Sequence, residues 1–427
     1  MPTKTDLAPR AGWMLTLAAA AILMITMGAR QTTGLFVSPI NTATGLGIVA
    51  ISFALAVGQF VWGAAQPVFG AIADKFGAGR VIVAGTLMLA LGTALTPFVD
   101  AQWSLLLTMG VLCAAGAGAG SFSILIGATA KQLPAERRAF AAGFINAGGS
   151  LGQFVFAPLM QAIISSAGWV AAMLTMAVTS LLAIPLAWPL RERRRAPHFP
   201  PPAAATVAAP APAPGPGGRP PLQLGEQLRA ALRDPSYLLL HAGFFTCGFH
   251  VAFLVTHLPG EVALCNLPAG VSATALALIG LFNIAGSLAA GALSSRYRMK
   301  HLLALVYASR AVIIVLYLLA PKTAWTFYIF AAALGFTWLA TIPPTAGLVG
   351  KLFGTRYLGT LFGLTLLSHQ TGAFFGAWLG GLSFVTFGDF TWMWYADIAL
   401  AVAAALVNLP IKEAPIMAKS APRPVPA

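Results

Sequence analysis

A twelve-helix all-α membrane protein, built as two pseudo-symmetric six-helix bundles, is the fold class that this sequence predicts. Three observations predict it. Hydrophobic residues fill 58% of the 427 positions and charged residues only 8%, against about 25% charged residues in soluble domains. Apolar stretches of about twenty residues recur from end to end, each long enough to cross a hydrocarbon core of about 30 Å. The two halves of the chain also echo each other at a nearly constant offset.

The spans read as 12–39, 47–72, 79–99, 103–129, 138–165, 168–190, 237–260, 271–293, 301–320, 324–349, 356–383 and 389–411. The first is too long for a cleaved leader and no small-residue cleavage site follows it, so it is expected to be retained. Twelve crossings put both chain ends on one side. That side collects Lys75, Arg80, Lys131, Arg137, Arg138, the basic run Arg191 to Arg195, Arg296, Arg298, Lys300, Lys351, Arg356 and Lys412. The other receives Lys322, beside Asp100, Glu261 and Asp389. Such a bias places both termini in the cytoplasm of a multi-pass inner- or plasma-membrane protein. It assigns the net charge of +14 to orientation in the bilayer rather than to nucleic acid.

Residues 191–235 begin RERRRAPHFPPPAAATVAAPAPAPGPGG and can neither span a membrane nor build a core. A flexible, partly extended linker is expected there. The organisation is thus 1–190, a six-helix bundle; 191–235, the linker; 236–412, a second six-helix bundle; and 413–427, a tail. Across the linker, Gly28 corresponds to Gly248, Arg30 to His250, Gly143 to Gly363 and Gly152 to Gly372, each 220 positions apart, and Gly70 to Gly291 at 221. Two halves of equal orientation are parallel repeats. Cys113, Cys247 and Cys265 have no metal or redox spacing, and Cys113 and Cys247 lie within apolar runs. They read as packing residues, with no metal and no cofactor.

After the second span comes Gly70-Ala-Ile-Ala-Asp74-Lys75-Phe-Gly77-Ala-Gly79-Arg80. This resembles the signature of the major facilitator superfamily, in which Gly70, Asp74, Lys75, Gly77 and Arg80 would form a conformational motif that holds the outward-open state. Glu136-Arg137-Arg138, followed by a small-residue-rich helix through Gly143, Asn146, Gly152 and Gln153, resembles the start of the fifth helix in monocarboxylate transporters. Mammalian members of that group carry a lysine in the outer first helix, where Arg30 stands. The oxalate/formate antiporters are the related bacterial group and carry a lysine near the position of His369. One departure is clear. The group's eighth-helix arginine, four residues after an Asp or Asn, is replaced here, since Asn283 is followed by Ser287.

Arg30 lies 18 residues into the first span, roughly 20–27 Å along a helix. Polar Gln31, Thr32 and Thr33 follow it, and apolar sequence resumes behind them. A cation at such a depth needs a partner or a function. Of the eleven acidic residues only Asp397 lies well inside a span, so a substrate carboxylate is the natural counter-ion for Arg30. His250, its repeat partner, is expected to face the same anion site between the halves. Arg310 and Asp397 have matching depths and are expected to form a structural ion pair. Other candidates for substrate contact are Gln31, Gln59, Asn146, Gln153, Asn283, Ser287, His369 and Gln370. His250 and His369 are the proton-coupling candidates, since imidazole titrates near neutrality. Pro343-Pro344 must interrupt helix ten, which is tolerated beside a cavity or a gate.

The residues therefore predict a secondary carrier of small organic anions, monocarboxylates or short dicarboxylates, that works as a monomer in the lipid bilayer with a proton as candidate co-substrate. A drug exporter of the same superfamily and an uncoupled anion exchanger are the alternatives. A non-translocating sensor would need a large signalling domain. An enzyme would need a nucleophile–base constellation, and none is legible.

Overall fold

The computed structural model of the protein describes residues 9–130, 132–133, 135–191, 223–354 and 357–414. Residues 192–222, most of the expected linker, lie outside the described residues, as do the side chains of Asp74, Lys75, Glu136, Arg137 and Arg138. Ten described stretches are long and apolar enough to cross a membrane. One of them, Ala141–Leu186, is long enough to cross twice and turns at Gly168 (φ 86°), a backbone conformation that glycine adopts at least cost. Leu358–Phe387, 30 residues long, supplies the remaining crossing, making twelve. Large apolar side chains such as Leu91, Leu305, Leu319 and Ile329 stand on the outer surface, where lipid rather than water meets them.

Helix one runs Pro9–Gln31, tightens into a 3-10 turn at Thr33–Phe36 and continues as Val37–Thr44. The hydroxyls of Thr32 and Thr33 donate to the carbonyls of Gly28 and Arg30, both at 3.0 Å, and so satisfy backbone groups near the break. The turn lets Gly34 lie directly on the Val255 carbonyl of helix seven, where any Cβ would overlap it. Helices two and three are Ile48–Phe76 and Ala78–Leu95. Helix four is built of Gln102–Leu105, a π-helical segment Leu106–Cys113, Ala114–Ala119 and, after a turn, Phe122–Ala130. Helices five and six share Ala135–Leu181.

The second half begins before helix seven. Leu224–Ala231, inside the segment expected to be a flexible linker, is a short helix instead. Glu226 accepts from the Gln223 backbone N–H at 3.0 Å, closing its first turn as a capping carboxylate does, and Gln227 donates to the Phe353 carbonyl at 2.6 Å. Helix seven is Pro235–Leu264, capped by Asp234, which accepts from the N–H groups of Ser236 and Tyr237. Helices eight and nine are Ala269–Ser294 and Met299–Leu319. Helix ten is broken into Ala324–Thr337 and Ile342–Phe353, as Pro343-Pro344 requires. Helices eleven and twelve are Leu358–Phe387 and Thr391–Asn408.

The repeat is visible as packing. Gly152 of helix five lies on the Met24 carbonyl and the Gly28 N–H of helix one; Gly372 of helix eleven lies on the Phe245 carbonyl and the Phe249 N–H of helix seven. The same crossing is thus built twice, with the glycines 220 and the backbone groups they meet 221 positions apart, on glycines that let backbones touch. Between the halves, helix two packs on helix eleven and helix five on helix eight. Gly381 meets Ser52, Gly63 meets Gln370, Gly280 meets Ser150, and Phe53 meets Phe374 and Trp378 edge-on. These contacts lie at mid-depth and on the side away from the chain termini. Toward the terminal side, Gly70, Gly127, Gly143 and Gly363 face open space.

Candidate functional site

The break in helix one places Arg30 at the wall of a cavity inside the first half. Its Nη2 donates to Gln59 Oε1 of helix two, and its guanidinium carbon sits 4.2 Å from the centre of the Trp62 ring, one turn further along the same helix. Gln59 and Trp62 are three residues apart, so one face of helix two supplies both an acceptor and a π-surface to the cation. The cavity measures about 60 Å³ and is lined by Arg30, Thr33, Gln59, Thr93, Leu55 and Met176, among others. Among the described residues, the ion pairs join His250 to Asp397 and Lys351 to Glu413, and neither includes Arg30.

From Gln59 a polar chain crosses to the second half. The Gln370 Nε2 of helix eleven donates to the Gln59 carbonyl at 2.7 Å. Its Oε1 faces His369 Nδ1 at 2.7 Å. An amide oxygen can only accept, so His369 donates to it from Nδ1. Arg30, Gln59, Gln370 and His369 are therefore one connected group.

Other expected site residues stand elsewhere. Gln31 Nε2 donates to Gln153 Oε1 at 3.3 Å, tying helix one to helix five, and Gln153 Nε2 remains buried without a partner. Asn283 is a strut: its Nδ2 donates to Ser150 Oγ of the first half at 2.9 Å, and its Oδ1 accepts the Leu339 N–H at 3.0 Å, a group freed by the break in helix ten. Ser287 donates to the Asn283 carbonyl. Asn146 is half-buried in helix five. Gly77 ends helix two with φ 91°, and Arg80 is exposed.

Two expectations are corrected. Arg310 and Asp397 do not pair. Arg310 Nη2 donates to the carbonyls of Thr337 and Trp338, the latter at 2.6 Å, so it caps the first segment of helix ten, whose carbonyl end favours a cation. Asp397 instead accepts from His250 Nδ1. His250 accordingly sits in the interior of the second half, 1% exposed, rather than opposite Arg30 across a shared site. Each correction has its own packing cause: the broken helix ten offers Arg310 two carbonyls, and helix twelve packs directly on helix seven.

Trp62, Cys247 and Trp338 were not among the sequence candidates. A signal existed for Trp62, which repeats the Gln59 position at helical spacing. None existed for Cys247, whose thiol meets Thr341 Oγ1 at 3.3 Å, because that contact depends on where helix ten breaks.

Twelve membrane-crossing helices in two repeat-related halves, meeting around a chain of polar side chains, define a polytopic membrane protein of transporter architecture. The family model described as Major Facilitator Superfamily matches residues 19–377, and the chain belongs to that superfamily. It is 25% identical over 401 residues to an oxalate:formate antiporter of Oxalobacter formigenes, covering 93% of this chain and 91% of that one. It is 26% identical over 410 residues to monocarboxylate transporter 13 of Bos taurus, covering 93% and 89%. A crystal structure of a D-xylose-proton symporter superposes with a TM-score of 0.70 at 13% identity, covering 95% of this chain and 99% of that one, and attests the fold alone. The family and relatives are those that the signature after helix two and the start of helix five suggested.

Proposed function

We propose that the protein carries small organic monoanions across its membrane by alternating access, with Arg30 as the counter-charge of the substrate carboxylate. One observation carries this reading: a permanently charged guanidinium lies at a cavity wall, held by an amide oxygen and an indole face, with no carboxylate paired to it among the described residues. A neutral amide and a ring orient a cation without neutralising it, so the charge stays available for an anion. His250, the second cation that a dicarboxylate would use, already has Asp397 as its partner. Among the described residues, Arg30 is the one cation that lines this cavity, which favours a monoanion. The small cavity and its apolar wall of Leu55, Met109 and Met176 favour a short hydrocarbon tail. The similarity to an oxalate:formate antiporter and to monocarboxylate transporters supports the same substrate class.

The basic bias of the loops makes the terminal side cytoplasmic. The functional units are 1–190 and 236–412, joined by 191–235 and followed by the tail 413–427, with Leu224–Ala231 docked onto the second unit. The carrier works as a monomer. Exchange, in which only a loaded carrier reorients, is the second reading, because Arg30 cannot discharge by losing a proton.

The test is counterflow in proteoliposomes with labelled formate, acetate, lactate and oxalate, for wild type and Arg30→Gln. Exchange of monocarboxylates that Arg30→Gln abolishes, with intact folding, is the expected result. Wild-type exchange in Arg30→Gln overturns the role of Arg30, and transport of hydrophobic cations instead of carboxylates overturns the substrate class.

A further inference from the structure

The interior of the second half holds a polar cluster that anion binding at Arg30 does not use. His250, midway along helix seven, donates through Nδ1 to Asp397 Oδ2, and the two are 1% and 0% exposed. Two other atoms of the pair, Asp397 Oδ1 and His250 Nε2, are buried without a hydrogen-bond partner, as are Trp338 Nε1 beside His250 and the Nε and Nη1 of Arg310, which meets the Trp338 carbonyl. The His250 and Trp338 rings are 5.8 Å apart. A pair serving only to hold helices together normally has its polar atoms satisfied; here an acid, a base and an arginine each keep an open position.

We propose that His250 and Asp397 form the proton-binding site of the carrier, lodged in the second half and apart from the anion at Arg30 in the first. The coupling rests on the anion reading above; the site itself does not. The groups facing the pair are few. Helix seven adds Cys247, and His257 and Glu261 lie two to three turns outward. Helix nine adds Tyr307 and Arg310. His369 of helix eleven faces Cys247. Helix ten contributes Trp338, which does not titrate. Asp397 is thus the carboxylate at mid-depth in this half; Glu261, Asp389, Asp234 and Glu413 lie toward one end or the other. From Cys247, three residues before His250 on helix seven, a polar file of His369, Gln370 and Gln59 leads to Arg30.

Charge conservation gives the arrangement its use. With His250 neutral, Arg30, Arg310 and Asp397 sum to one positive charge. Binding one anion at Arg30 and one proton at the pair leaves that sum unchanged. Empty and fully loaded carriers then reorient with equal charge in the membrane, whereas a carrier holding the anion alone moves with a different one. No bond is made or broken beyond transfer of the proton to the imidazole.

Two measurements decide it. First, infrared difference spectra between acidic and neutral pH are recorded on the full-length protein without any anion, for wild type, His250→Gln and Asp397→Asn. The expected result is an imidazole–carboxylate titration present in wild type and missing from both variants; persistence in both overturns the proposal. Second, an inward gradient of one pH unit is applied to proteoliposomes supplied with labelled lactate, and uptake by protein-free liposomes is subtracted. At one proton per anion it drives about tenfold accumulation, expected in wild type and lost in both variants, while lactate exchange at equal pH stays within about threefold of wild type. Accumulation retained by either variant, or missing from wild type, overturns the coupling. If no carboxylate exchanges in wild type but the infrared titration is present, the anion reading fails and the proton site stands. Monodispersity of each variant is checked first, and His250→Gln carries both measurements if Asp397→Asn aggregates.

Discussion

Gln59 holds Arg30 with its side-chain oxygen and Gln370 with its backbone carbonyl. One residue of helix two thus links the cation of the first half to helix eleven of the second. Any movement between helices two and eleven is therefore felt at the guanidinium, which is where a carrier needs its binding group and its moving interface to meet.

Arg30→Lys keeps the charge and loses the planar fork that meets Gln59 and lies over Trp62. Weak residual acetate counterflow is expected for Lys and none for Gln. Trp62→Leu removes the π-face, worth about 2 kcal/mol where the cation is desolvated, and is expected to weaken acetate binding by roughly tenfold to thirtyfold. Scintillation-proximity binding on purified protein checks both; unchanged affinity in Trp62→Leu shows that the ring is only packing.

Arg310→Met leaves the carbonyls of Thr337 and Trp338 without their donor. At about 1–3 kcal/mol for each buried unsatisfied group, the variant should unfold at clearly lower temperature in detergent. Asp397→Asn added to it should give no rescue. Recovery in the double variant would restore the ion pair that the sequence suggested.

Gly372→Val inserts side-chain atoms where the Phe245 carbonyl lies, and Gly152→Val does so at the Met24 carbonyl. Helices seven and eleven, or one and five, must then separate. Each substitution should abolish monodisperse protein, whereas Gly143→Val and Gly363→Val, which face open space, should purify normally. Size-exclusion profiles of the four variants decide the matter.

At the terminal side, Glu413 accepts from Lys351 Nζ at 2.8 Å and from the Lys300 N–H at 2.9 Å, joining the ends of helices nine, ten and twelve. Partial burial alone would raise the carboxyl; the Lys300 N–H and the Lys351 ammonium outweigh it and hold the group below its ordinary value. A depressed carboxylate stabilises the folded state above its unfolded pKa, about 4.3, and that contribution disappears as pH falls through the lower folded value. Wild type should lose an increment of thermal stability across this acid window that Glu413→Gln lacks at every pH. Parallel melting curves for the two proteins would contradict the latch.

The sequence by itself determined the class, the twelve crossings, the repeat and the place of Arg30, because each is written in local composition or fixed spacing. Nineteen residues without charge must cross lipid, Pro343-Pro344 must break a helix, and glycines 220 positions apart recur where helices cross. The partners of the buried polar groups were decided by tertiary structure. Arg310 and Asp397 match in depth along their helices, yet depth says nothing of azimuth. The rotation of helix nine turns Arg310 to the carbonyls of helix ten, and that of helix twelve turns Asp397 to His250. The helix at Leu224–Ala231 escaped notice for a related reason: eight residues behind a proline-rich run gain their stability from docking on Phe353, not from their own composition. A hydrogen bond is short-ranged and directional, so its partner is chosen by the packing of helices distant in sequence, which no single stretch of the chain encodes.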